Sequence, residues 1–164
     1  MEITRVFIHG LDSSSRGTKG SFFRLKYPGM VMGDYLGPLE ERMAQLEGEL
    51  AGKDNLILVG SSYGGLMATL FAWAHEERIR RLILLAPALG HADWSACSGQ
   101  MKIPVTLYHG RFDEVVPPGP TGLIAARLFA NIERHLVDDD HNLHLIFPSL
   151  NWNDLLEIPC SHTP

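Results

Sequence analysis

The feature that most constrains this chain is the alternation of short β-branched or Leu-rich runs with longer helical segments, sustained over most of its length. Parallel strands must be joined by long crossovers, and a helix is the usual crossover, so this alternation builds βα units on a sheet covered on both faces. The strand expectations are Thr4–Ile8, a weak Met30–Met32, Leu56–Val59, Leu82–Leu85, Val105–Tyr108 and Arg134–Val137. Helices are expected over Thr18–Lys26 and from Leu39, where Leu39, Met43, Leu46 and Leu50 make one apolar stripe between Pro38 and Gly52. Tyr63–His75 is apolar almost all round, as a helix buried against a sheet should be. Thr121 is expected to cap a helix to about Ala130 after the unhelical run Pro117-Pro118-Gly119-Pro120, and a helical pattern past His141 is broken by Pro148. The expected fold is α/β: a three-layer α/β/α sandwich on a mostly parallel sheet of about six strands.

With 164 residues, the chain has the length of one domain, expected over 1–164. Its 45% hydrophobic and 20% charged residues are enough to build a core. Lys and Arg number 14 against 19 Asp and Glu, a net charge of −5, so neither nucleic acid nor an anionic membrane is an expected partner. Cys97 and Cys160 form no CxxC pair, the N-terminal residues lack a signal-peptide pattern, and no apolar run has the about 18 residues needed to span a bilayer. A cytoplasmic location is the expectation; the oligomeric state is left open.

Chemistry concentrates at Leu56-Ile57-Leu58-Val59-Gly60-Ser61-Ser62-Tyr63-Gly64-Gly65, which puts Gly-x-Ser-x-Gly at the junction of a hydrophobic strand and a buried helix. Only Ser62 has Gly60 two before it and Gly64 two after it. A turn this tight needs flanking residues without side chains, and it leaves the serine Oγ exposed at the carboxyl end of the sheet, beside the amides of the following helix. A serine is a poor nucleophile without a base and an acid to orient that base. Asp113 follows the strand Val105–Tyr108, and His141 follows the strand ending at Val137. The order Ser62, Asp113, His141 is the one expected of hydrolases with a nucleophile elbow.

The chain resembles a small α/β-hydrolase, close in pattern to the compact bacterial esterase-like members of that superfamily. The matching pieces are Phe7-Ile8-His9-Gly10-Leu11-Asp12-Ser13-Ser14, the elbow, Gly110-x-x-Asp113-x-Val115-Val116-Pro117 and the histidine after the last strand, spanning residues 4 to about 147. The resemblance implies catalysis by Ser62, Asp113 and His141, with an oxyanion hole made by the backbone N–H groups of Leu11 and Tyr63. It also implies a minimal fold without a cap domain, beginning at what is an inner strand of larger members. Lids of those members sit where residues 87–102 lie here, so a short flap is expected there, with His9, Leu89 and Trp94 as candidate pocket residues.

The implied activity is hydrolysis of small or medium carboxylic esters or thioesters through an acyl-enzyme, with a small-molecule acyl substrate and no cofactor. Acyl transfer, amidase or peptidase chemistry on the same residues, and a non-catalytic binding module, are the alternatives. Other residues have blander readings. His144, one helical turn past His141, is the alternative base. Asp138, Asp139 and Asp140 read as a solvated acidic loop, and His9 and His109 as structural or pocket-lining. No further His or Cys joins His141 and His144 at metal-ligand spacing, so no metal is expected.

Overall fold

The structure, a computed structural model, describes residues 1–159; the last residues of the domain expected over 1–164 lie outside the described residues. Five strands, β1 (Thr4–Ile8), β2 (Leu56–Ser61), β3 (Ile79–Leu85), β4 (Val105–Gly110) and β5 (Ile132–Val137), pair in sequence order, all parallel. The expected sixth strand at Met30–Met32 shrinks to one bridge from Val31 to Val6. Its backbone still bonds the edge, Phe7 N–H to the Val31 carbonyl and Val31 N–H to that of Arg5, both 2.9 Å. Gly29 and Gly33 flank this short run, and glycine weakens the extended state on either side.

Side-chain alternation along the strands produces the three layers. Val6, Ile8, Leu56, Leu58, Leu82 and Leu84 face one core, covered by α2 (Leu39–Glu49), α3 (Tyr63–Ala74) and α4 (Pro118–Leu128). Phe7, Ile57, Val59, Ile83 and Leu85 face the other, covered by α1 (Thr18–Lys26) and by Phe147 and Trp152 of the C-terminal segment. Arg5 pins that segment to β1, donating to the carbonyls of Leu156 at 2.6 Å and Glu157 at 2.9 Å. No helix among the described residues is long and apolar enough to cross a membrane.

Two local expectations change. Pro118 and Pro120 sit in the first turn of α4, not ahead of it. The first N–H groups of a helix have no intrahelical acceptor, so proline loses nothing there and presets φ. Thr121 is accordingly buried inside α4 rather than capping it. Past His141 the chain makes only a 3-10 turn at Phe147–Ser149 and one turn of helix, α5 (Trp152–Leu155), whose first turn is capped by the Asn151 side chain.

Candidate active site

Four loops at the carboxyl ends of β1, β2, β4 and β5 converge, as loops do in open α/β sheets. Ser62 joins β2 to α3 with φ 55° and ψ −116°, a conformation that strains any residue carrying a Cβ. The surroundings hold it there. Ser62 N–H donates to the Leu85 carbonyl, and the Ser62 carbonyl accepts from Gly65 and Ala88, each at 2.9 Å. The glycines are demanded by close approach: a Cβ on Gly60 would stand 2.5 Å from the Gly64 carbonyl oxygen, and one on Gly64 2.0 Å from that of Ile8.

The Ser62 hydroxyl donates to His141 Nε2 at 3.0 Å, and His141 Nδ1–H donates to Asp113 Oδ2 at 2.7 Å. The carboxylate can only accept, which places the ring proton on Nδ1 and leaves the Nε2 lone pair for the serine. Asp113 is fully buried. Its Oδ1 accepts the N–H groups of Val115 at 2.9 Å and Val116 at 2.7 Å. His144, the alternative base, is turned outward onto Asp140 Oδ2 at 2.8 Å and only rims the cleft. The N–H groups of Leu11 and Tyr63 donate to no partner among the described residues, and both residues line the same cleft as Ser62.

That cleft has a volume of about 650 Å³, within the range of small-molecule sites. Phe7, Phe22, Val115, Val116, Leu143 and Phe147 give it an apolar wall, and Lys19 adds a cation. Lys19 donates to the Asn142 carbonyl at 2.7 Å, and its burial lowers the ammonium's pKa although Asp140 and Asp139 push the other way.

The expected pocket residues His9, Leu89 and Trp94 are elsewhere. His9 is a satisfied core histidine: Nδ1–H donates to the Gly10 carbonyl at 2.7 Å and Nε2 accepts Tyr35 N–H at 2.9 Å. Leu89 and Trp94 pack into the sheet's core, where Trp94 Nε1–H bonds the Leu89 carbonyl at 2.7 Å. Residues 87–102 thus make no flap; only Ala88 and His91 of them reach the cleft. Beyond the motif segments that supply Phe7, Val115 and Val116, its walls come from α1 and the segment after His141, which carry no motif.

Asp139 carries no sequence signal either. Among three consecutive aspartates nothing local shows which one turns inward, yet Asp139 is buried and accepts the N–H groups of Asp140, Leu145 and Ile146 at 2.8, 2.9 and 2.8 Å. It shapes the loop that carries His141. Asp139→Ala strands these donors, a cost of about 1–3 kcal/mol. Melting should fall by several degrees, and His141 should drift from Ser62 enough to slow the reaction of a fluorophosphonate probe with that hydroxyl by about tenfold or more. Thermal unfolding and the rate of probe labelling read the two effects, and an unchanged labelling rate would contradict this role.

A family model described as alpha/beta hydrolase fold matches residues 10–97. The homoserine O-acetyltransferase of Thermus thermophilus is 29% identical over 76 residues, 46% of this chain and 20% of that protein. The chain therefore spans about a fifth of the length of the curated relative it matches. Among solved structures, alpha/beta hydrolase domain-containing protein 10 from mouse superposes with a TM-score of 0.76 at 20% identity, covering 94% of this chain and 89% of that one. The monoacylglycerol lipase of Paleococcus ferrophilus gives 0.69 at 16% identity, covering 93% of each.

Proposed function

Since the chain belongs to the alpha/beta hydrolase fold family, we propose that it is a serine hydrolase cleaving small or medium carboxylic esters or thioesters through an acyl-enzyme on Ser62. The observation that carries this reading is the unbroken hydrogen-bonded line Asp113–His141–Ser62, of which Ser62 and His141 line the cleft and Asp113 is buried behind them. His141 Nε2 takes the hydroxyl proton as Ser62 Oγ attacks the acyl carbonyl. Asp113 holds the imidazole in that tautomer and stabilises the imidazolium that forms. The N–H groups of Leu11 and Tyr63, with the N-terminal end of α3 behind Tyr63, stabilise the charge that develops on the carbonyl oxygen. His141 returns the proton to the leaving alcohol or thiol, then activates the water that frees the acid. The acyl group lies along the apolar wall of Phe22, Leu143 and Phe147.

Intact-mass labelling with a fluorophosphonate probe tests the nucleophile without a guessed substrate. One adduct is expected on the wild-type protein and none on His141→Ala in the same time, followed by turnover of an ester and thioester series of increasing chain length. A folded wild-type protein that takes no adduct would overturn the proposal. A second reading, transfer of the acyl group to an alcohol, is favoured by the partial likeness to homoserine O-acetyltransferase. Product analysis in the presence of competing alcohols separates it, because transfer yields a new ester where hydrolysis yields only the acid.

A further inference from the structure

Asp113 Oδ2 has a second imidazole on it. His109, at the end of β4, has Nε2 at 3.1 Å from this oxygen and 2.8 Å from the Val116 carbonyl oxygen. Both partners are acceptors, so Nε2 must carry the proton and donate to the two of them together. His109 is buried, with its side chain only 4% exposed, and its Nδ1 has no partner among the described residues. A side chain present only to fill this space would be apolar and would leave no polar atom orphaned.

His109 does not touch the cleft. It lines a separate cavity of about 200 Å³ between α4 and β5, with Gly122 and Arg134 among its other walls. Its chemistry therefore reaches Ser62 only through Asp113. There it closes a ring of donors. Oδ1 is held by the amides of Val115 and Val116, and Oδ2 by His109 and His141. Without His109, one side of Oδ2 loses its donor, and the two amides on Oδ1 and His141 alone hold the carboxylate about its last torsion, a broad and soft one.

We infer that His109 is a positioning residue: its Nε2–H, shared between Asp113 Oδ2 and the Val116 carbonyl, locks the carboxylate in the rotation that meets His141 Nδ1–H. The inference rests on the proposed roles of Ser62, His141 and Asp113 as nucleophile, base and orienting acid. His109 adds no contact to substrate, so it acts on the chemical step and not on binding.

Two measurements test it. In the wild-type protein, nitrogen-15 NMR of the imidazoles is expected to find the His109 proton on Nε2; a proton on Nδ1 alone overturns the inference, whatever any variant does. Fluorophosphonate labelling then separates the rate of reaction from the affinity for the probe. His109→Leu is expected to react about tenfold more slowly, as a loosened catalytic geometry should, with probe affinity unchanged. His109→Gln, whose amide N–H reaches a similar place, is expected to recover most of that rate. Equal rates in folded His109→Leu and His109→Gln overturn the positioning role, as does a loss confined to probe affinity. Wild-type protein that takes no label sinks the hydrolase reading instead, and the separate failure is then visible. In that case the His141 Nδ1–H resonance still decides: it must shift or broaden in His109→Leu relative to wild type, and an unchanged signal overturns the inference.

Discussion

Ser62→Ala is expected to abolish fluorophosphonate labelling and to lower ester turnover by about 10⁴-fold or more, the loss typical when a serine nucleophile acting with its histidine is removed. The substitution deletes only the Oγ that donates to His141 Nε2, so the fold should remain. Stability supplies an independent check on the same residue. Ser62 sits at φ 55° and ψ −116°, and such a non-glycine conformation stores about 1–3 kcal/mol. Alanine keeps that strain, whereas glycine releases it at an entropic cost of about 0.5–1 kcal/mol. Ser62→Gly, equally inactive, should therefore melt above Ser62→Ala by a few degrees, given about 2–4 °C per kcal/mol at this size. A folded Ser62→Ala protein that still takes the label would remove Ser62 from the mechanism. A Ser62→Gly variant that melts no higher would remove strain from the account of the elbow.

Gly64→Ala is expected to be the most damaging single methyl in the molecule. Its Cβ would stand 2.0 Å from the Ile8 carbonyl oxygen, 2.5 Å from that of His9 and 2.6 Å from the Ile8 carbonyl carbon. All three are backbone atoms at the end of β1, which is paired to β2, so no flexible side chain can yield. Either α3 lifts off the sheet or β1 shifts. A cost of about 4 kcal/mol or more follows, the class of effect reserved for such overpacking. At this chain length it corresponds to a melting point lower by roughly 10 °C or more. Gly48→Ala is the matched control. Gly48 lies in α2 with open space around its would-be Cβ, and alanine there should stabilise the helix by about 0.5–1 kcal/mol. If calorimetry finds the two variants within a few degrees of each other, the close approach of α3 to β1 is wrong.

The elbow is legible in the sequence because its demands are local. A strand run, a glycine two positions before the serine, another two after it and an apolar helix all answer to backbone sterics between near neighbours. The order Ser62, Asp113, His141 is legible for a related reason: each follows a strand, and strand ends of a parallel sheet share one edge. The pocket is not. His9, Leu89 and Trp94 have the composition of a pocket, but burial places them in the core or its hydrogen bonds. Lys19, Phe22 and Phe147 carry no motif, yet they form the walls.

The choice between His141 and His144 shows where the boundary falls. His141 and His144 stand three residues apart in one acidic loop, and in the sequence only the nearer place of His141 to the strand end favours it. The buried Asp139 carboxylate folds the loop so that one ring turns in to Ser62, 79 residues away in sequence, while the other turns out to Asp140. Local sequence signals set the α/β layering, the tight Gly-x-Ser-x-Gly turn and the strand ends that bear Asp113 and His141, since periodicity and glycine sterics act between near neighbours. Tertiary packing turned the preference for His141 into a contact with Ser62, put a second histidine on Asp113 Oδ2 and set which side chains wall the cleft. Those outcomes depend on contacts between distant segments, such as Lys19 with Asn142, 123 positions apart, and such contacts leave no local signature in the residues that make them.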